Sequence, residues 1–407
     1  VTKPLDPNRS VWTELRRLVP SIYLPMGMVT LGMGIVLPVI PLYLEDAGLS
    51  LSMVGAVLAA AGIGAAVGAI PASSYAERRD NDELLMISIV VVAVTTALVG
   101  ITEAAMALLV LRAMSGFGFG AIGQSRQLFI ARSVPIHFRG RASSVLGGTH
   151  RFALVMGPLI GGAVAETWNY ESVFVLAGVV TAIGLVWGVL PGGRENRAGK
   201  EIPPPARLGV TFRKHRRLLL RGGTGPLLVM AGREGRYVVV PLVGDRLGLS
   251  AGEIGSLVAL GTAVDFVLFP FAGWVMDRFG RLNAVVPAFS IMAMGMIMLG
   301  LAHTTTQVAM ASVLIGGGNA LTAGSVITLG TDLAPDDAPG PFLAGYNVLA
   351  NSGLFIGPLV VGWVADAAGL DVSAFVLAAM LLGGVAWIAL VVGETRHGPN
   401  KVSGLAE

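Results

Sequence analysis

The sequence repeats itself at a spacing of 200 residues. Pro41-Leu42 returns as Pro241-Leu242, Gly48-Leu49-Ser50 as Gly248-Leu249-Ser250, Gly55 as Gly255, Arg78 as Arg278, Gly116 as Gly316, Pro135 as Pro335, Gly140 as Gly340 and Gly157-Pro158 as Gly357-Pro358. Glycine and proline mark particular backbone bends, so one constant offset held from residue 41 to residue 358 points to two copies of one unit. Each copy is mostly apolar. Of 407 residues 54% are hydrophobic and only 13% charged, with a mean hydropathy of +0.74, against roughly 25% charged in an ordinary soluble domain. The pattern predicts an all-α integral membrane protein made of two pseudo-symmetric bundles with a site between them, the layout of a secondary transporter.

About 20 apolar residues are needed to cross the hydrocarbon core. Segments of that kind fall near 20–44, 52–75, 84–102, 104–131, 141–166 and 172–190, and again near 222–244, 252–276, 282–302, 307–332, 341–366 and 371–393. Twelve transmembrane helices in two six-helix bundles follow, with residues 1–190 as the first bundle, 191–221 as a linker and 222–407 as the second bundle and tail. An even number puts both termini on one side. Arg16, Arg17, Arg78, Arg79, Arg132, Arg139, Arg141, the linker cations, Arg278, Arg281, Arg396 and Lys401 share that face. The opposite loops offer Arg246 against a series of carboxylates, so the positive-inside rule makes the termini cytoplasmic, as in a bacterial inner membrane. The first apolar stretch is long and lacks a small-residue cleavage site, which argues against a cleavable signal.

The linker is the one break in composition. Pro203-Pro204-Pro205 stiffens it, and Arg213, Lys214, Arg216, Arg217 and Arg221 surround Val210, Phe212 and Leu218 to Leu220. Such a segment suits either a solvated basic connector or a surface helix on anionic lipids of the inner leaflet.

Several motifs carry a family resemblance. Gly273, Asp277, Arg278, Gly280 and Arg281, in the loop after the eighth segment, resemble the loop motif of the Major Facilitator Superfamily. Arg112, Gly116, Gly118 and Gly120 resemble the arginine motif of its fourth helix. Gly157, Pro158, Gly161 and Gly162 are similar to the motif of its drug:proton antiporter branch, with Ala153 where a glycine is usual, and Gly357-Pro358 and Gly362 repeat part of it. The resemblance covers the whole chain and implies the Major Facilitator fold, rocker-switch alternating access, and gating residues at Asp277, Arg278, Gly280, Arg281, Gly157, Pro158, Gly357 and Pro358. In the first copy the loop reads Glu77-Arg78-Arg79-Asp80-Asn81. Asp80 and Asn81 replace the glycine and arginine, so Glu77 and Arg78 are expected to form the weaker lock.

Ionisable groups at membrane depth are costly and mark function. Besides Arg246 and the cytoplasmic cations, five arginines lie within helices: Arg112, Arg126, Arg151, Arg233 and Arg236. Two carboxylates, Glu234 and Asp265, accompany them. The positive excess favours an anionic or zwitterionic substrate group. Arg126, Arg151 and His150 from the first copy, Arg233, Arg236 and Tyr237 from the seventh helix, and Asn319, Asn347 and Asn351 are the candidate substrate contacts. Asp265, then Glu234, are the candidate proton-coupling carboxylates, because a carboxylate ionised beside arginine takes a proton once that partner withdraws. Arg112 matches a family motif associated with proton transfer and is assigned to coupling. Met292, Met294, Met296 and Met298 read as lipid-facing filler.

There are no cysteines, and the five histidines lack ligand spacing, so no metal or other cofactor is expected. The expected partners are a small-molecule substrate, protons and membrane lipids, with no nucleic acid, and the chain is read as a monomer. The preferred function is a proton-coupled exporter of drug-like or amphipathic compounds with anionic or zwitterionic preference. The runner-up is an uptake carrier for an organic anion or a lysophospholipid translocator. A membrane enzyme is disfavoured for want of clustered metal ligands or a serine–histidine–carboxylate arrangement.

Overall fold

A computed structural model describes residues 18–78, 81–134, 136–188, 213–335 and 337–395. The side chains of Glu77 and Arg78, and the linker up to residue 212, lie outside the described residues. The chain is all helical, with α1 at Leu24–Val36 and Val39–Asp46, α2 Leu51–Arg78, α3 Asn81–Val99, α4 Ala105–Ser133, α5 Ile136–Thr167 and α6 Tyr170–Gly188. The second set is α7 Arg216–Arg246, α8 Ala251–Phe279, α9 Arg281–Gly300, α10 Thr305–Leu321 and Ser325–Leu333, α11 Pro339–Asn351 and Gly353–Ala368, and α12 Leu370–Trp387. α1 breaks ahead of Pro38, which has no N–H to give. α10 breaks after Leu321 and resumes at Ser325 behind Gly324, whose φ of +80° sets the start of the second segment.

Among the described residues, nine of these helices are long and apolar enough to span a bilayer. Two others fall short because His150-Arg151 interrupts α5 and Arg233, Glu234 and Arg236 interrupt α7, while α6 is apolar over its described side chains, Tyr170–Leu185. The charges that lower the hydropathy of α5 and α7 are among the candidate site residues of the sequence.

The glycines at the 200-residue offset have matching jobs. Gly48 and Gly248 adopt φ of +76° and +73° in the turns leading into α2 and α8, a region open to glycine without penalty. On α4, a side chain at Gly116 would run into the backbone of Ala61 in α2; on α10, one at Gly316 would run into Gly261 in α8. Gly123, two turns after Gly116 on the same helix, faces open space.

The helices group into two compact units. The first takes residues 1–49, 60–202 and 250–259; the second takes 50–59, 203–249 and 260–407. The first turns of α2 therefore pack with the second unit, and those of α8 with the first.

The α9 methionines correct the sequence reading. Met292 and Met296 are fully buried, whereas Met294 is 53% exposed. Positions four apart share a helix face, so one pair fills the core and only the intervening residue faces outward.

Candidate functional site

In the second unit, α7 and α8 bring the embedded charges together. Arg236 is 8% exposed and Asp265 7%. The Arg236 guanidinium donates to the Tyr237 hydroxyl and lies over its ring, 4.4 Å from the centroid. A cation over an aromatic face is attracted by the ring quadrupole, and the neighbouring hydroxyl fixes the fork. Glu234 and Asp265 both lie close enough to act on the Arg236 charge. Arg233 Nε sits 3.6 Å from Glu234 Oε1, both side chains partly buried. Asn319 on α10 is 2% exposed and its Oδ1 has no hydrogen-bond partner; Ser312 Oγ, two turns earlier, is in the same condition. Asn347 and Asn351, the other candidate substrate contacts of the second copy, are exposed on the first segment of α11.

The first unit holds cations of a different kind. His150 Nδ1 shares a 3.2 Å hydrogen bond with Thr30 Oγ1 of α1, which locates the ring against a helix that reads as almost wholly apolar. Arg126 and Arg151 are half-buried on α4 and α5. Arg112 Nε is buried and has no hydrogen-bond partner.

The antiporter-like motif packs helices. A side chain at Gly157 would meet the backbone of Gly34 and Ile35 in α1, and one at Gly357 would meet Ala231 and Gly235 in α7. The Pro158 carbonyl faces Gly255, and the Pro358 carbonyl faces Gly55.

The loop between α8 and α9 is a charge network. Arg281 donates through Nη1 to Asp277 Oδ1 (3.2 Å) and to the Met276 carbonyl (3.2 Å), and through Nε to Asp332 Oδ2 (3.4 Å). Thr395 Oγ1 donates to the same Asp332 oxygen at 2.8 Å. Glu394 accepts from the N–H groups of Arg281 and Leu282, both at 3.0 Å, capping α9. Gly280, with φ of +95°, lies directly under that carboxylate. Arg278 is exposed and stacks on Trp274 and Phe279. Asp332, Glu394 and Thr395 were invisible to motif reading because they come from the end of α10 and the tail of α12.

At the position equivalent to Arg281, the described residues of the first unit form a neutral pair. Asn81 Nδ2 donates to the Ser125 carbonyl at 3.2 Å, and Ser125 Oγ donates back to the Asn81 carbonyl at 3.3 Å; each residue is 1% exposed. At the start of α7, Lys214 pairs with Asp337 at 2.5 Å, and its ammonium holds that exposed carboxyl below the usual aspartate range.

The family model described as Major Facilitator Superfamily matches residues 23–232 and 223–407. In sequence the chain is 23% identical over 372 residues to the multidrug resistance protein MdtG of Enterobacter lignolyticus, covering 89% of each chain. It is 20% identical over 384 residues to the quinolone resistance protein NorA of Staphylococcus aureus, covering 92% of this chain and 96% of that one. In structure it superposes on a D-xylose-proton symporter with a TM-score of 0.71 at 18% identity, covering 95% and 99% of the two chains.

Proposed function

Because the chain belongs to the Major Facilitator Superfamily, and is thus a multi-pass membrane protein and a secondary transporter rather than an enzyme, we propose that it is a proton-coupled exporter of drug-like or amphipathic organic compounds bearing an anionic or zwitterionic group. The observation that carries this reading is the buried Arg236 beside Asp265 and Glu234 in α7 and α8. While arginine is at hand, a carboxylate in such a place stays ionised. A conformation that withdraws the arginine leaves the carboxylate in a medium that penalises its charge, and it takes up a proton. Alternating access then ties proton uptake on one face to release on the other.

Substrate preference rests on the embedded balance of five arginines against two carboxylates. Arg126 and Arg151 supply cations in the first unit with no embedded carboxylate in their own half. Export is supported by likeness in sequence to two proteins named for drug resistance. The positive-inside rule keeps both termini cytoplasmic in this reading. The runner-up, uptake of an organic anion or movement of a lysophospholipid, has one observation in its favour: the same fold serves a protein named as a symporter.

The test is transport into proteoliposomes under imposed proton gradients of either sign, corrected for protein-free vesicles. The probes are a fluorescent amphipathic carboxylate and a lipophilic cation. Accumulation of the carboxylate on the acid side is the expected result. Accumulation on the alkaline side gives the runner-up, and preference for the cation removes the anion assignment.

A further inference from the structure

The outer ends of α2 and α8 are repeat-related, yet their first backbone amides are satisfied in different ways. At α2 the Asp366 carboxylate, from the far end of α11, accepts from Leu51 N–H through Oδ1 at 3.0 Å and from Ser52 N–H through Oδ2 at 2.9 Å. Ser50 Oγ accepts from Met53 N–H at 3.3 Å, and the Ser50 carbonyl accepts from Val54 N–H at 2.9 Å. The amides of Leu51, Ser52 and Met53, which lack intrahelical partners, thus have acceptors, two of them on another helix 315 and 314 residues away in sequence. The contact is close-packed underneath, where the Pro358 carbonyl and Gly362 press on Gly55.

At α8 the cap is local. Ser250 Oγ accepts from Glu253 N–H, and Glu253 Oε2 accepts from Ser250 N–H, the reciprocal capping box that a helix start can build from its own sequence. Glu166, exactly 200 residues before Asp366, lies over Gly252, but among the described residues its carboxylate makes no hydrogen bond to the α8 amides. The two closures share backbone packing and differ in one respect: of the two carboxylates, Asp366 alone, among the described residues, fastens one helix to the N-terminus of another.

We propose that Asp366 is a positioning residue for transport, a latch whose carboxylate holds the start of α2 on the end of α11 and sets how readily the two part during the transport cycle. The inference rests on alternating access in the family but not on the coupling ion, the substrate or the direction of transport. The carboxylate suits the task because its anion meets the partial positive charge at the helix N-terminus. It also lies at an exposed edge, where water can replace it at modest cost. Glu166, lacking those bonds, leaves the matching closure of α8 on α5 to packing alone.

The chain contains no cysteine, so two introduced cysteines can be spin-labelled without background. With labels at Ala47→Cys and Trp363→Cys in nanodiscs, without substrate or proton gradient, electron–electron distance distributions report how often the α1–α2 turn leaves α11. Asp366→Ala should raise the ratio of long to short distances about fivefold, the size of a lost helix N-cap. Asp366→Asn, which keeps the shape and one acceptor, should give a smaller rise of the same sign, and Glu166→Gln should leave the ratio within about twofold of the wild type. A distribution unchanged in Asp366→Ala, or an equal shift in Glu166→Gln, overturns the latch. Because no substrate or gradient is present, failure of the proton-exporter reading leaves this result untouched.

Discussion

The two halves of the chain keep the same scaffold and carry different chemistry. In the second half, Arg233, Glu234, Arg236 and Asp265 form a mixed-charge cluster; 200 residues earlier the corresponding positions are Met33, Gly34, Val36 and Ala65. In the first half, Arg112, Arg126 and Arg151 are embedded cations, and their counterparts are Ser312, Val326 and Asn351. The loops follow the same division. Arg281, Asp332 and Glu394 build a charged clasp where the first copy has the neutral pair Asn81 and Ser125. Glycines such as Gly48 and Gly248, which set turns, and Gly116 and Gly316, which set close approaches, are shared by both copies because two bundles of one shape need them. Polar groups are free to differ, and here cations without carboxylates lie in one half while cations with carboxylates lie in the other. We propose that the first half supplies the main cations for the substrate anion and the second half the carboxylates that couple to the proton.

The largest expected effect tests the mixed-charge cluster. Arg236→Met removes the cation from buried carboxylates, and breaking one side of a buried pair costs about 3–5 kcal/mol. Thermal scans in detergent should show a large loss of stability. Adding Asp265→Asn should restore part of it, because groups that interact do not add; strict additivity would mean that Arg236 and Asp265 do not act on one another.

Next in size is the substrate anion. A charge-assisted hydrogen bond contributes about 1.5–3 kcal/mol, so Arg151→Gln should weaken binding of an amphipathic carboxylate roughly tenfold to hundredfold and barely affect a neutral analogue. Arg126→Gln should give a smaller loss of the same sign. Equal losses for the carboxylate and the neutral analogue would move the anion site out of the first half.

The clasps separate the halves more finely. Arg281→Gln loses bonds to two carboxylates and a carbonyl, partly exposed and therefore discounted, and should cost about 1–2 kcal/mol. Asn81→Ala loses one neutral bond, about 1 kcal/mol. Raising the salt concentration should shrink the first effect and leave the second, which differential scanning in two ionic strengths would show.

Much of this division was legible in the sequence, and the part that was not has a physical reason. The repeat, the twelve helices and the embedded arginines could be read because glycine, proline and charge each leave a mark on their own. Thr30 could not be read as the partner of His150, because a threonine in an apolar helix looks like filler until the fold sets it 3.2 Å from the ring. Asp332, Glu394 and Thr395 lie far along the chain from Arg281, and no local pattern links them. Asn81 was legible as a missing arginine but not as a clasp, since Ser125 is 44 residues away. Met292 and Met296 were misread because composition hides which side of α9 each one occupies.

The smallest expected effect is at the start of α7. Lys214 and its hydrogen bond keep the Asp337 pKa lowered in the folded protein. Any stabilisation from this is present above the unfolded aspartate pKa and is lost only as pH falls through the lowered folded value. The group is fully exposed, so Lys214→Ala should leave the thermal midpoint unchanged between pH 7 and pH 5. A drop confined to the variant in that window would give this surface pair more weight than either clasp.

The division of labour is tested most directly by Asp265→Asn in proteoliposomes, with gradient-driven accumulation and counterflow exchange of the same amphipathic carboxylate measured side by side. If the second half handles the proton, the variant loses accumulation down to passive leak, keeps counterflow, and no longer responds to pH. Accumulation that persists in Asp265→Asn with the wild-type pH dependence would contradict the account.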